Sequence, residues 1–232
     1  MYLGQVNIFR KFLSKFKEKV SQKYRREVLV NTISNEISNI IKSKNKKIIK
    51  ILDYVSGYNP ILIKKINEKL SIKHKKIQFR ACCYDYYSKK QIKLLNNSKK
   101  IVYKNINKLN SDKIIKYDFC LIIDVLHHIG IDDSKKIYKI VNKLKKKSNF
   151  LIIKDHFQYG FFSNFTLILM DFFSNYGDGT KIPKIYFNIQ SFNNLISKVK
   201  LEEIKRITNK KFYRWYWLYL NSEKFQFISV LK

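Results

Sequence analysis

The chain has 232 residues, of which 45% are hydrophobic and 28% charged, and a formal net charge of +31. This length and composition are typical of one globular domain, which buries roughly 70% of its unfolded surface. No apolar run approaches the ~18 residues that a membrane span requires, and Lys and Arg interrupt the first twenty residues throughout. We therefore expect a cytoplasmic protein with neither a transmembrane helix nor a secretory signal.

The net charge suggests a nucleic-acid or anionic-membrane partner. However, only six of the 48 basic residues are Arg, and Lys is spread over almost every predicted helix. Binders of phosphate tend to use Arg, whose planar group makes bidentate contacts. We therefore interpret the Lys side chains as solvated and expect no nucleic-acid partner, with a dedicated polyanion surface as the alternative.

Residues 1–45 have helical periodicity and predict an N-terminal helical extension before a main domain at 46–232. The first apolar stripe, opposite a Lys-rich face, consists of Ile8, Phe9, Phe12, Phe16 and Val20. The second stripe consists of Val30, Ile33, Ile37, Ile40 and Ile41. We expect these helices to pack on the main domain or to cap its cleft. A basic amphipathic helix that contacts a membrane surface is the alternative.

Short apolar runs alternate with helical segments in residues 46–232. They are predicted as strands at about 47–53, 77–83, 101–104, 119–124, 150–154, 202–208 and 225–231. Runs without period-two alternation are typical of strands buried on both faces, and alternation with helices predicts a parallel sheet. The last two segments predict an antiparallel closing pair. All three Cys lie in predicted strands and indicate small core residues in a reducing compartment.

The helices between the strands have recognisable beginnings. Asn59-Pro60 is typical of an N-cap followed by the first helical residue, and Ser88 with Gln91 is typical of a capping box. Further helices are predicted near Asp133, over 161–173 and from Ser191. The aromatic segment 212–220 predicts a packed strand rather than a platform on which bases stack.

Four of the apolar runs lead to an acidic residue, and these residues are Asp53, Asp85, Asp124 and Asp155. Ligands of parallel α/β sheets bind at the carboxyl ends of the strands, which is where these carboxylates are predicted to lie. The sequence therefore predicts one ligand cleft with the four aspartates at its rim.

Residues 45–232 resemble class I S-adenosylmethionine (SAM)-dependent methyltransferases in the order and spacing of their motifs. Residues 51–59, Ile-Leu-Asp-Tyr-Val-Ser-Gly-Tyr-Asn, lie where the family has a strand, an acidic residue and a G-x-G-x-G turn. Asn105 and Leu109 resemble the Asp-x-x-x-Leu element that follows strand three. Residues 117–129 are the closest match, because many members have a Leu-His-His there. A subgroup has a similar tail, which here consists of Lys154-Asp155-His156, Asp171, Asn175, Gly179, Pro183 and Tyr186.

The resemblance implies a Rossmann-like, three-layer α/β sandwich whose seven-stranded sheet is mostly parallel, with an antiparallel C-terminal strand. It also implies SAM as the cofactor. The cofactor-binding residues that it implies are Asp53, Tyr54, Gly57, Asp85, Tyr86, Asn105, Ile106 and Asp124. Asp53 would favour the cationic end of SAM, Asp85 would accept hydrogen bonds from both ribose hydroxyls, and Asn105 would meet the adenine edge.

The sequence departs from the family at the turn after the first strand. Of its three expected glycines only Gly57 is present, because Val55 and Asn59 replace the others. Val strongly disfavours a positive φ. The departure predicts a wider turn or weaker SAM binding, and a non-functional cofactor pocket is the alternative.

The resemblance implies methyl transfer to a small-molecule or lipid-like acceptor. His156 beside Asp155 is the first candidate for a general base and His128 the second, while His127 is predicted to be structural. Asp171 and Tyr186 are the candidate substrate-binding residues. No His, Asp or Glu cluster has metal-ligand spacing, so no metal is implied. The oligomeric state is left open.

Two alternatives remain from the sequence alone. The first is a catalytically silent methyltransferase-like scaffold that binds a partner, which the altered glycine turn suggests. The second is a nucleic-acid methyltransferase, which the charge suggests, although no Asn-Pro-Pro-Tyr-like element follows strand four.

Overall fold

Seven strands form one sheet in the computed structural model, which describes residues 23–42, 46–57, 60–96, 100–111, 116–129, 133–175, 182–212 and 223–232. The strands are β1 Ile48–Tyr54, β2 Gln78–Asp85, β3 Ile101–Asn105, β4 Tyr117–Ile123, β5 Ser148–His156, β6 Glu203–Thr208 and β7 Gln226–Leu231. Their order across the sheet is β3-β2-β1-β4-β5-β7-β6. Strands β1 to β5 pair in parallel, and β7 runs antiparallel to both β5 and β6. This arrangement confirms the predicted sheet.

Helices cover both faces of the sheet. They are α1 Lys23–Ile41, α2 Ile61–Lys73, α3 Lys89–Leu95, α4 Lys108–Ser111, α5 Leu126–Ile129, α6 Ser134–Lys147, α7 Phe161–Asn175 and α8 Ile189–Val199. One core cluster joins Ile49 and Ile51 of β1 to α1 and α2, and a second cluster joins Leu52 to α6 and α8. Because successive side chains of a strand point to opposite faces, the fold is the predicted three-layer sandwich.

The helix beginnings follow the local sequence, with two shifts. Ser88 and Gln91 form the predicted capping box of α3, and the carboxylate of Asp133 caps α6. Pro60 is the N-cap residue of α2, one position after the predicted N-cap Asn59, which lies outside the described residues. The last predicted helix begins before Ser191, because Asn188 is the N-cap of α8 and Ser191 is its capping-box partner.

Helix α1 packs into the core that α2 shares with the sheet. Four residues of the predicted stripe are buried, namely Val30, Ile33, Ile37 and Ile41, and Ile40 is half-buried. The first predicted stripe, at residues 8–20, and the aromatic segment 213–220 lie outside the described residues. Cys82, Cys83 and Cys120 are buried in the core as thiols rather than disulfides. None of the described helices has the length and apolar character that crossing a membrane requires.

The strand order reverses between β1 and β4, because β1 lies between β2 and β4 while the chain passes through β3 first. Asp53 pairs in register with Cys83 of β2 and Leu121 of β4, and Ile123 pairs with Lys154. The acidic residues that end β1, β2, β4 and β5 therefore lie along one edge of the sheet. This edge, at the reversal of strand order, is where open α/β sheets bind ligands.

Candidate functional site

The chain leaves β1 through two residues in the left-handed region, Val55 with φ 58° and Gly57 with φ 76°. The N–H of Val55 donates to the carbonyl oxygen of Tyr84 at 2.8 Å, which ties the turn to β2. A left-handed conformation costs a residue with a Cβ roughly 1–2 kcal/mol, so Val55 is a strained replacement for glycine. In the described part of the chain, a Cβ added at Gly57 would have no neighbouring atom within 4 Å. Residues 55–57 therefore include two left-handed positions, of which only one is a glycine.

Asp85 connects this turn to the end of β2. One carboxylate oxygen accepts from the N–H of Gly57 at 2.6 Å, and the other accepts from the N–H of Tyr86 at 2.7 Å. The hydroxyl of Tyr87 donates to the carbonyl oxygen of Gly57 at 2.9 Å. A carboxylate has about four acceptor sites, so Asp85 retains about two for other donors.

Asn105 holds the end of β3 beside β2. Its side-chain amide donates to the carbonyl oxygen of Tyr87 at 2.9 Å, and its side-chain oxygen accepts from the N–H of Asn107 at 3.0 Å. The N–H of Ile106 donates to the carbonyl oxygen of Asp85 at 2.8 Å. Asn105 therefore retains one donor hydrogen and one acceptor lone pair, which suits the edge of a base.

Asp53 is a buried carboxylate in the same region. Burial raises the pKa of Asp53 to about 7, and the charge of Asp85 adds to this shift. Among the described residues, no Lys or Arg forms an ion pair with Asp53. Of the two tyrosines predicted to bind cofactor, Tyr54 is buried in the core and Tyr86 is 72% exposed. Among the described residues, Asp53 thus has no neighbouring cation that would stabilise its ionised form.

Replacing Asp53 by Asn is expected to stabilise the protein at pH 8. Because the folded-state pKa is raised, stability is greatest below the ordinary value of 3.8 and is lost as the pH rises through about 7. Each pKa unit corresponds to about 1.4 kcal/mol, so we expect a gain of about 1–4 kcal/mol at pH 8 and almost none at pH 4. Urea unfolding at both pH values measures it. Glu68→Gln on the exposed face of α2 is the control, and a destabilised D53N at pH 8 would contradict the burial argument.

Asp124 follows β4 with φ 53° and lies between two cations. Its carboxylate forms ion pairs with Arg25 of α1 and with Lys154 of β5, whose side chain is fully buried. Burial alone would raise the pKa of Asp124, but Arg25 and Lys154 hold it well below its usual range. Burial lowers the pKa of Lys154, and Asp124 opposes that shift. The carboxylate predicted to flank the cofactor is therefore already compensated by the protein's own charges.

A second group of side chains centres on His127. Its Nδ1 lies 2.6 Å from Asp155 Oδ1, and its Nε2 lies 3.2 Å from Asp171 Oδ2. The hydroxyl of Tyr186 donates to Asp171 at 2.5 Å. The backbone N–H of His156 donates to Asp155 at 2.8 Å, but its side-chain Nδ1 lies 3.5 Å from that carboxylate. Asp155 therefore orients His127 rather than the predicted base, His156.

The histidines differ in charge for physical reasons. Burial would lower the pKa of His127, but Asp155 and Asp171 outweigh it and raise the pKa to about 10. Burial, together with the charge of Lys154, lowers the pKa of His156 to about 4. His127 is therefore an imidazolium at neutral pH, and His156 is neutral. His128 is half-buried, with Nδ1 4.0 Å from Asp171 Oδ2.

The unfolding free energy is expected to fall by about 2–3 kcal/mol between pH 7 and pH 9 through His127. The unfolded side chain loses its proton near 6.5 and the folded one near 10, so the stabilisation is complete below 6.5 and is lost as the pH rises. The slope is about 1.4 kcal/mol per pH unit. Urea unfolding of wild type and His127→Gln over this range isolates the effect. Equal slopes for the two proteins would contradict the assignment.

The fold also brings together groups that resemble a metal site, although their spacing in the sequence gave no such signal. Ligand atoms of His127, His128 and Asp171 lie within 4.8 Å of one another, and so do those of His127, Asp155 and His156. Both ring nitrogens of His127 face carboxylates, at 2.6 Å from Asp155 and 3.2 Å from Asp171. The same side chains therefore form a hydrogen-bonded network of charges.

The structure thus places the predicted residues in two neighbouring groups. The first, at the ends of β1, β2 and β3, contains Asp53, Gly57, Asp85 and Asn105. The second contains Asp124, His128, Asp155 and His156 at the ends of β4 and β5, together with Asp171 of α7 and Tyr186, which bind to this group from the side of the helix. Sequence patterns did not indicate Arg25 or the central position of His127. The lone Lys154 in an apolar run was a usable signal, because a Lys buried in a strand needs an acidic partner.

Comparison with known proteins rests on structure, because no family profile and no curated protein matches the sequence. The CurJ carbon methyltransferase has a TM-score of 0.59 and 12% identity, over 87% of this chain and 53% of that one. The LepI complex with SAM has a TM-score of 0.55 and 12% identity, over 84% and 46%. A SAM dependent methyltransferase from Archaeoglobus fulgidus has a TM-score of 0.51 and 12% identity, over 88% and 94%.

The chain spans about half the length of CurJ and LepI in these structures. Identities of 12% establish the fold and not the activity. The strand order, the antiparallel β7 and the helix layers agree with this likeness. The chain therefore has the Rossmann-like fold of class I SAM-dependent methyltransferases.

Proposed function

We propose that the protein is a SAM-dependent methyltransferase that acts on a small-molecule or lipid-like acceptor. The observation that carries the proposal is the buried, uncompensated carboxylate of Asp53 at the edge where this fold binds ligands. When bound, SAM supplies an electrophilic methyl group on a positively charged sulfur, and S-adenosylhomocysteine is the by-product. The structural neighbours include the CurJ carbon methyltransferase and a SAM dependent methyltransferase from Archaeoglobus fulgidus, and LepI was solved in complex with SAM.

The first group of residues fits a nucleoside that carries a cation. Asp85 retains acceptor sites for two ribose hydroxyls, and Asn105 retains one donor and one acceptor for the adenine edge. Open space beside Gly57 allows the ligand to approach the backbone closely. Asp53 lies where a positive group would favour its ionised form. Asp124, already paired with Lys154, would contribute its backbone rather than its charge.

The second group would hold the acceptor and take up its proton. His156 is neutral at pH 7, and within the described residues its Nδ1 has no hydrogen-bond partner, so it can accept a proton. Its low pKa makes it a weaker base than an ordinary histidine, and half-buried His128 is the second candidate. Asp155 and Asp171 hold His127 as a fixed positive charge beside both. Tyr186 and Asp171 would line the acceptor side.

A thermal-shift assay with S-adenosylhomocysteine and SAM tests the proposal. A ligand at ~100 times its dissociation constant adds ~2.7 kcal/mol of stability, which corresponds to a shift of about 5–10 °C for a chain of this size. ATP serves as the control for nonspecific binding of an anion to a basic protein. A shift with S-adenosylhomocysteine and none with ATP supports the proposal. If neither SAM nor its product shifts the melting temperature, the result contradicts the proposal and favours the silent-scaffold alternative.

A further inference from the structure

Helix α7 carries large apolar side chains on its outer face. Phe161 is 79% exposed, Phe162 is 83% exposed and Phe165 is 51% exposed, and Leu169 continues the same stripe at 37%. Tyr159, just before the helix, is 51% exposed. Large aromatic side chains grouped in this way on a surface mark an interaction site rather than scattered exposure.

Hydrogen bonds on the inner side fix the orientation of this helix. The side chain of Asn164 donates to the carbonyl oxygen of Lys184 at 3.0 Å and accepts from the N–H of Tyr186 at 3.0 Å. The hydroxyl of Tyr186 also contacts the carbonyl oxygen of Leu167 at 3.0 Å, and Asp171 points inward to His127. The aromatic face therefore does not belong to a loosely packed helix that could rotate its apolar stripe inward.

Hydrogen bonds also fix the turn that precedes the helix. Gly160 has φ 117°, and its carbonyl oxygen accepts from the hydroxyl of Ser163 at 2.8 Å. The same hydroxyl accepts from the N–H of Tyr159 at 2.6 Å. The turn thus presents Phe161 and Phe162 as a protruding pair at the start of α7.

The charge around this face selects the kind of partner. Asp171 is the only acidic residue in α7, and its carboxylate is bound on the inner side. Two exposed lysines, Lys184 and Lys224, lie beside the helix and the turn before it. The carbonyl oxygen of Lys184 accepts from the side chain of Asn164, and that of Lys224 accepts from the hydroxyl of Tyr159. The whole chain carries a net charge of +31. An apolar helix face with a basic surround suits the headgroup and acyl boundary of an anionic bilayer.

We propose that the outer face of α7 docks the protein on an anionic lipid surface, with Phe161 and Phe162 inserted below the headgroups. The opposite side of the same helix supplies Asp171 to the histidine group. Docking would therefore hold that group near the membrane surface. Docking would let a lipid-like acceptor reach the site from the bilayer, and this consequence rests on the proposed function. The docking itself does not depend on SAM.

Vesicle co-sedimentation of the full chain tests the docking. Wild type is expected to bind vesicles of equal phosphatidylcholine and phosphatidylglycerol at least tenfold more strongly than phosphatidylcholine alone, and less strongly at high salt. Phe161→Ser/Phe162→Ser is expected to weaken binding at least tenfold, because two inserted side chains are lost. Ile72→Ser is the matched control, since Ile72 on α2 is 74% exposed and distant in sequence.

Exposed positions tolerate Ser, so unchanged melting temperatures are expected for the variants, and the thermal melt confirms that they are folded. The proposal is overturned if wild type shows no preference for anionic vesicles. It is also overturned if the double variant binds as wild type does, because a different surface would then carry the binding. Vesicle binding is measured without SAM and the thermal shift without vesicles, so either proposal can fail alone.

Discussion

Replacing Asp124 by Asn is expected to destabilise the protein by about 3–5 kcal/mol, because it leaves a fully buried Lys154 without its anionic partner. Asn is the right substitution, since position 124 has φ 53° and Asn tolerates the left-handed region better than most residues. The loss of stability then reflects the removed negative charge and not a strained backbone at position 124. Urea unfolding at pH 7 of wild type and variant measures it.

The matched control removes both charges of the Asp124–Lys154 pair and leaves Arg25 in place. Lys154→Met fills a similar volume without a charge, and replacing a buried ion pair by apolar groups is often neutral or stabilising. We therefore expect the double variant D124N/K154M to be more stable than D124N alone, with a coupling of at least about 1 kcal/mol. If the two single effects simply add, Lys154 does not depend on Asp124 and the argument is wrong.

The ion pair with Asp124 also makes α1 part of the site. Arg25 lies in the helix that precedes the sheet, 99 positions before Asp124 in the sequence, and it reaches the carboxyl end of β4. Because Arg25 and Lys154 share one carboxylate, the position of α1 is coupled to the centre of the sheet. Helix α1 therefore helps to shape the cleft.

The architecture could be predicted because it depends on patterns that are local in the sequence. Apolar runs without alternation identified the buried strands, and the acids at their ends had to share one edge because parallel strands end together. The capping box of Ser88 and Gln91 was visible for the same reason, since both partners lie within one turn of helix.

The pairing of charges could not be predicted because it depends on contacts between distant segments. Asp155 lies next to His156 in the sequence, but its carboxylate is 3.5 Å from His156 Nδ1 and only 2.6 Å from Nδ1 of His127, which follows a different strand. Similarly, the carboxylate of Asp85 accepts from the N–H of Gly57, a contact that only the folded turn creates. Adjacency in the sequence therefore does not predict the hydrogen-bond partner of a side chain when that partner lies at the end of another strand.

Replacing Asp85 by Ala is expected to weaken the binding of S-adenosylhomocysteine by at least about 100-fold. A hydrogen bond to a charged group is worth about 1.5–3 kcal/mol, and a tenfold change in affinity is about 1.4 kcal/mol, so losing two ribose contacts costs this much or more. The variant also removes the acceptor of the Gly57 N–H, which loosens the turn beside the ligand. Isothermal titration calorimetry measures the affinity, and the melting temperature of each unliganded variant confirms folding.

Asp85→Asn separates the two contributions to this loss. Asn keeps the shape of the side chain and one acceptor oxygen, so it can still accept either from Gly57 or from the ribose but with no negative charge. We therefore expect its affinity to lie between those of wild type and D85A. If D85A binds S-adenosylhomocysteine as tightly as wild type does, the end of β2 does not hold the ribose. Asp85 then serves only to fix the turn after β1, through its hydrogen bond with the N–H of Gly57.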